Sequence, residues 1–332
     1  MQKIETMSEI VLTLLGGLVL FLYAVTSLSD VIRSVTSKKP KKWLLRFTKN
    51  TFTAILTGTI ITILLDSSSV VIIITIVLVN SGLLTFRQAM GIVMGANIGT
   101  TISSQIIALD IARYSPLLLI IGMAILLITQ KDHFKRYGQL FIYFGMLFFG
   151  LFIMENAISP LKQDPVFHEW MLKMNNPITG SITGAVVTLI IQSSSATVGM
   201  AILLVKKGAI SLMGGIAIML GAELGTCSDT LLATIRGNRQ GIKTGLFHLI
   251  FNFTSIVICL LLFLPFVHFV EWISGEIPLE QILANAHFLF NFIGVIVFVW
   301  FLPVFEKFLN RVLPDKPMGH FSNTNKIPEL EE

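Results

Sequence analysis

Two serine triplets carry the first hints of chemistry. In LLDSSSVV at 64–71 and IIQSSSAT at 190–197, three hydroxyls follow a carboxylate, Asp66, or an amide, Gln192, in the middle of a long apolar stretch. Where a helix is interrupted, its end leaves backbone N–H and C=O groups without intrahelical partners. Serine hydroxyls can cap such N–H groups and can also coordinate a cation. If the triplets open second half-helices, the positive ends of those helices suit an anion. The ordinary alternative is a continuous span in which each serine bonds back to the carbonyl four residues earlier. The presence of two such triplets counts against it.

Each triplet is followed by a glycine motif, MGANIGTT at 94–101 and LGAELGTC at 220–227. Paired glycines weaken a helix by about 1 kcal/mol each against alanine, and they permit close packing or local unwinding beside Asn97, Thr100, Thr101, Glu223 and Thr226. A small-residue packing seam is the plain reading and can coexist with a site. Asp66 and Glu223 stand out as carboxylates deep inside apolar segments, where ionisable groups are functional candidates for Na+ or a proton. A protonated, simply packed acid remains the alternative. Two further segments, His248 to Asn252 and His287 to Asn291, place His and Asn four residues apart on one helix face, as supporting contacts or ion handling.

The elements that position these groups are membrane helices. Of 332 residues, 54% are hydrophobic and 13% charged, with mean hydropathy +0.80, against about 25% charged in soluble domains. Seven stretches are long enough to span: 8–33, 84–109, 114–130, 137–158, 209–235, 242–264 and 282–303. The stretches 51–80 and 178–205 are broken by the serine runs and read as re-entrant hairpins, because a polar triplet against lipid is costly. With the hairpins not crossing, and Lys38, Lys39, Lys41, Lys42, Arg46 and Lys49 in the cytoplasm, basic residues divide eighteen against six. That places the N-terminus outside and the C-terminus inside a multi-pass plasma (inner) membrane protein. The net charge of +5 lies in short clusters between apolar runs, which suits this orientation and gives no reason to expect nucleic acid. Cys227 and Cys259 have no metal-ligand spacing, and the first apolar run reads as a retained span. The polar tail, 306–332, is expected to be a disordered cytoplasmic end.

The chain also repeats. Displaced by 126 residues, 58–104 falls on 184–230 without a gap, and the identities gather at polar and glycine positions: Gly58, Ser67, Ser68, Ser69, Gly95, Gly99 and Thr100 match Gly184, Ser193, Ser194, Ser195, Gly221, Gly225 and Thr226. Three full spans separate the hairpins, so the copies stand inverted. The domains read as a first repeat, 8–130, a second, 137–264, and a final span, 282–303. Inverted repeats around interrupted helices are secondary-transporter architecture, with the site at mid-membrane.

QSSSAT at 192–197, GANIGTT at 95–101 and AHFLFN at 286–291, with a looser copy at Gly245, His248, Phe251 and Asn252, resemble the Na+/phosphate cotransporter family (type II, including bacterial members) over most of 10–303. The resemblance implies an all-α inverted-repeat transporter, not an enzyme, that moves inorganic phosphate with Na+ and needs no cofactor. Carried over, Ser67, Ser68, Ser69, Gln192, Ser193, Ser194 and Ser195 are candidates for phosphate. Asn97, Thr100, Thr101, Glu223, Thr226 and Asp66 are candidates for the coupling ion. The expected partners are phosphate, Na+ and the lipid bilayer, with a homodimer left open. Two departures matter: Asp66 stands where the family has Gln, and Glu223 where it has Asn. The first repeat also lacks an HxxFN in 114–130. An ionised Asp66 beside phosphate would oppose it by about 4 kcal/mol at 4 Å and an effective dielectric of 20, so a cation or proton must accompany the anion. Proton coupling, export or another oxyanion are the alternatives on this fold. An intramembrane serine hydrolase is the remote one, since no GxSxG elbow appears.

Overall fold

The computed structural model describes residues 7–36, 39–109, 111–161, 164–235 and 237–314. Among them every regular element is helical, and the helices fall into register at the displacement the sequence shows. α1 (Met7–Thr36) corresponds to α7 (Asp132–Leu161), α2 (Lys39–Phe47) to α8 (Pro165–Lys173), and α3 (Thr51–Leu65) to α9 (Pro177–Ile191). α4 (Ser68–Asn80) corresponds to α10 (Ser194–Lys206), and α5 (Phe86–Ile107) to α11 (Leu212–Gly225) with α12 (Cys227–Thr234). α6 (Ser115–Ile128) falls within the range of α13 (Arg239–Leu261). α14 (Phe263–Ser274), α15 (Leu279–Val299) and α16 (Leu302–Val312) follow outside the repeat.

The helix ends repeat because their capping chemistry repeats. Asn50 and Asn176 cap α3 and α9, Ser67 and Ser193 cap α4 and α10, and Thr85 and Ser211 cap α5 and α11, each side chain accepting from a first-turn N–H. Packing repeats as well. A Cβ on Gly95 would lie 1.9 Å from the Ile55 carbonyl oxygen, and one on Gly221 would lie 1.8 Å from that of Ser181. Only glycine lets α3 rest backbone to backbone on α5, and α9 on α11.

The second half-helices cross over. α4 packs on α5 of its own half and also on α12 and α13, and α10 packs on α11 of its own half and also on α5 and α15, so the second half-helix of each hairpin reaches beyond its own half. α1 and α7 lie along each other, and Phe21 on α1 and Leu147 on α7 share a core with α10 and α11. A second core joins α3, α4 and α5 to Phe247, Phe251 and Phe298.

Five helical stretches are long and apolar enough to cross a membrane: α1, α7, α11 with α12, α13 and α15. The bent pair α8–α9, turning by 103°, would make six. The other two of the seven expected spans differ for separate reasons. α5 has 22 residues but is polar along its buried face, as a helix inside a protein can be. α6 has 14 residues, about 21 Å of helix, short of a 30 Å core. The start of the expected disordered tail is also helical: α16 covers Glu306 and docks through Lys243 Nζ, which donates to Asn310 Oδ1 at 2.6 Å. The tail beyond Pro314 lies outside the described residues.

Candidate functional site

Both hairpins break at the same place and in the same way. Asp66 (φ 49°) and Gln192 (φ 58°) are the non-glycine residues with left-handed backbones among the described residues. Such strain is retained where surrounding structure requires it, often at functional sites. Each is followed by the serine that caps the next half-helix: Ser67 accepts from Val70 N at 3.3 Å, and Ser193 from Ala196 N at 3.2 Å. In the second hairpin Thr188 Oγ1 donates to Thr197 Oγ1 at 2.8 Å. Nine residues of straight helix would hold those positions about 13 Å apart, so the chain doubles back at the break. In the first hairpin the counterpart of Thr197 is Val71, and Thr62 Oγ1 is buried without a partner.

Around Asp66 the chain forms a small cavity of about 100 Å³. Ser103 on α5 donates to Asp66 Oδ1, and Ser195 from the opposite hairpin lines the same space with Gly99. Phe21, Phe144 and Leu147 of α1 and α7 wall it. The corresponding crossing of α4 with α12 holds Ser69, whose Oγ donates to Asp229 Oδ2 at 3.3 Å and lies 3.4 Å from Thr226 Oγ1. Ser228 Oγ donates to Asp229 Oδ1 at 3.4 Å. Asp66 is half-buried, whereas Gln192 at the second tip is exposed.

The sequence reading, in which Asp66 and Glu223 stand out as the carboxylates deep in apolar segments, omits Asp229. This acid corrects that reading, since it sits in the 209–235 stretch and is half-buried at a crossing. The repeat itself holds the signal: position 229 falls on Ser103, the partner of Asp66.

The histidines belong to a fully buried layer beside these crossings. Thr230 Oγ1 and His248 Nδ1 lie 2.8 Å apart, and Ser104 Oγ and His287 Nδ1 2.7 Å apart. Ser104 and Thr230 are repeat counterparts, so α15 supplies to the first half the histidine that α13 supplies to the second. His287 Nε2 lies 2.7 Å from Glu223 Oε1, with the pair essentially inaccessible to solvent. Asn97 Nδ2 donates to Asn252 Oδ1 at 2.5 Å, and Asn252 Nδ2 donates to the Glu223 carbonyl at 2.8 Å. Asn291 Nδ2 donates to the His287 carbonyl, while its Oδ1 is left without a partner.

The expected site residues therefore divide. Asp66 and Ser195 share one crossing, and Ser69 and Thr226 the other. Asn97, Glu223, His248, Asn252 and His287 form the buried layer. Ser68 and Ser194 are buried in the first turns of α4 and α10. Thr100 and Thr101 turn their hydroxyls to Ala96 and Ile98 carbonyls of their own helix.

A polytopic helical membrane protein with discontinuous helices meeting over polar groups has the construction of a transporter. The pattern of the Na+/Pi-cotransporter family matches residues 20–156 and 163–298, and the chain belongs to that family. It is 28% identical over 301 residues to "Uncharacterized protein YqeW" of Bacillus subtilis, covering 89% of this chain and 96% of that protein. It is 25% identical over 289 residues to "Putative inorganic phosphate export protein YjbB" of Escherichia coli K12, covering 86% of this chain and 51% of that one. Over 138 residues it is 36% identical to human "Sodium-dependent phosphate transport protein 2B", covering 38% of this chain and 20% of that protein. No solved structure matches it.

Proposed function

We propose that the protein carries inorganic phosphate across the membrane by alternating access, with Na+ as the coupling ion. The observation that carries this reading is the pair of serine-capped half-helices, α4 and α10, whose N-termini begin at the two crossings between halves. Unpaired first-turn N–H groups and serine hydroxyls are an anion-binding arrangement. In this reading Ser67, Ser68, Ser69, Gln192, Ser193, Ser194 and Ser195 face phosphate, with Asp66, Thr226 and Asp229 holding the cation. Asn97, Thr100 and Thr101 support that cation from the glycine helix. Cation and anion then raise each other's affinity, because linkage is reciprocal. The two repeats stand inverted in a plasma membrane, N-terminus outside. Phosphate uptake into proteoliposomes tests the transport, and it should collapse without a Na+ gradient. Uptake of equal rate with K+ replacing Na+ would remove Na+ from the mechanism. Cysteines at Ser159 or Gly275 should react with an impermeant thiol reagent from outside, and cysteines at Lys39 or His133 should not.

A second reading, proton coupling or export on the same fold, is favoured by the Glu223–His287 contact, since a carboxylate and an imidazole at 2.7 Å can share a proton. The name of YjbB points the same way on direction. Under it, transport depends on pH with Na+ absent. The chain Ser104–His287–Glu223 has the connectivity of a hydrolase triad, yet Ser104 and His287 are fully buried and offer a substrate no approach.

A further inference from the structure

We propose that the corner between α2 and α3 is a binding site for one anionic phospholipid. α2, KPKKWLLRF, seats Pro40 and Leu44 against the protein and exposes Lys41, Lys42 and Arg46 together with Leu45 and Phe47. Basic and apolar side chains exposed on one short helix suit a membrane surface, where the charges meet headgroups and the apolar groups enter the acyl region.

The occupant follows from two adjoining recesses. One is an apolar groove of about 450 Å³ between α2 and α3, lined by Trp43, Phe47, Thr53, Leu56, Thr57 and Ile60. The other, of about 460 Å³, is polar and is lined by Lys49, Asn50, Thr51, Thr85, Arg87 and Gln88. The sequence 47–53 runs from one to the other. A molecule with an apolar tail and a negative head fits both, whereas a free anion has no use for the groove and a neutral lipid none for the cations. No acid occurs in the chain between Asp30 and Asp66. Arg87, at the edge of the recess, lies 3.8 Å from the Glu306 carboxylate.

The molecule contains its own control. The counterpart of α2 is α8, PVFHEWMLK, which carries Glu169 bonded to Lys173 at 3.0 Å and has Asp164 as its cap. The two helices share a place in their repeats but not a charge. The positive-inside bias alone would place basic residues on the copy that faces the cytoplasm, so it is the two recesses beside α2, with its charge, that point to a bound lipid.

The test uses the purified full chain with dioleoylphosphatidylglycerol, dioleoylphosphatidylcholine and inorganic phosphate as separate probes, read by native mass spectrometry of retained lipid. Phosphatidylglycerol should be retained in preference to phosphatidylcholine, and millimolar phosphate should not displace it. Each neutralised basic residue near an anionic headgroup weakens retention about fivefold, so Lys49→Gln with Arg87→Gln, the cations of the polar recess, should lose roughly twenty-fivefold. Thr57→Phe, which fills the groove and leaves every charge, should also release the lipid, and Lys173→Gln on α8 should change nothing. Equal retention of both lipids, displacement by phosphate, or an unchanged preference in the double variant would each overturn the proposal. Retention is read without transport, so its failure is separate from failure of phosphate transport.

Discussion

In the first half of the chain the hairpin tip carries the acid, Asp66, and the glycine helix facing it offers a hydroxyl, Ser103. In the second half the types are exchanged: the tip carries Gln192 and the glycine helix carries Asp229. Each pair of counterparts thus holds one carboxylate, though at different positions. Duplication fixes which backbone points into a crossing, while the charge there can move to whichever side chain reaches it. The halves differ also in cover, since α1 and α7 wall the cavity at Asp66 while Gln192 stands exposed.

The equivalence of the halves can be broken most severely at their glycines. Gly95→Ala and Gly221→Ala place a methyl within 2 Å of a backbone carbonyl, 1.9 Å and 1.8 Å respectively. Overpacking ordinarily costs about 1–3 kcal/mol. Here the obstacle is backbone, so both variants should lose folded protein in size-exclusion profiles. Gly16→Ala meets nothing within 4 Å and should behave as wild type. Collapse of one glycine variant with survival of the other would show that the halves do not share their packing.

A smaller but still large asymmetry is expected in the buried layer. His287→Ala strands the Glu223 carboxyl, and removing one member of a buried pair costs about 3–5 kcal/mol. His248→Ala removes one contact each from Thr230 and Asn252, which keep their bonds to the Cys227 and Glu223 carbonyls, so the loss should be about 0.5–1.5 kcal/mol per hydrogen bond. Thermal unfolding in detergent should rank them in that order, and Glu223→Gln should recover part of the His287→Ala loss. Equal melting temperatures for the two histidine variants would deny Glu223 its special dependence on α15.

At the crossings the comparison is one of charge. Asp66→Gln should reduce phosphate uptake by about tenfold or more, equivalent to about 1.4 kcal/mol. Adding Ser103→Asp rebuilds the first crossing in the pattern of the second and should restore part of the rate. Absence of rescue in a folded double variant would mean that the position of the acid matters, not only its presence.

How far these features were legible follows from what each depends on. The broken helices are readable in sequence, 51–80 against Thr51–Asn80 in space and 178–205 against Pro177–Lys206, because a polar triplet in an apolar run has few other resolutions. α6 was overread because an apolar run does not reveal where its helix stops, at Ile128. α16 was missed because proline and charge look like disorder until Lys243 and Asn310 meet. The pairing of Ser104 with His287 spans 183 residues, and no local pattern announces it. Asp229 was visible in principle, since the repeat aligns it with Ser103. Comparing identities, however, hides a charge that has changed helices.

The smallest expected effect is a gain. Thr188 and its counterpart Thr62 are both buried, yet only Thr188 finds a hydroxyl, that of Thr197, across its hairpin. Val71 occupies the matching place opposite Thr62 and is fully buried. Val71→Thr would give Thr62 its partner, and the new hydroxyl could turn its own proton to the Ser67 carbonyl, as Thr197 does to that of Ser193 at 3.2 Å. A satisfied buried hydrogen bond is worth about 0.5–1.5 kcal/mol net, partly offset by burying a hydroxyl where a methyl had been. Val71→Thr should therefore raise the melting temperature slightly, and Thr197→Val should lower it by more, since it recreates in the second hairpin the orphan that the first already carries. If both variants are destabilised alike, the first hairpin has adapted to its valine, and the halves differ at their turns in more than one hydroxyl.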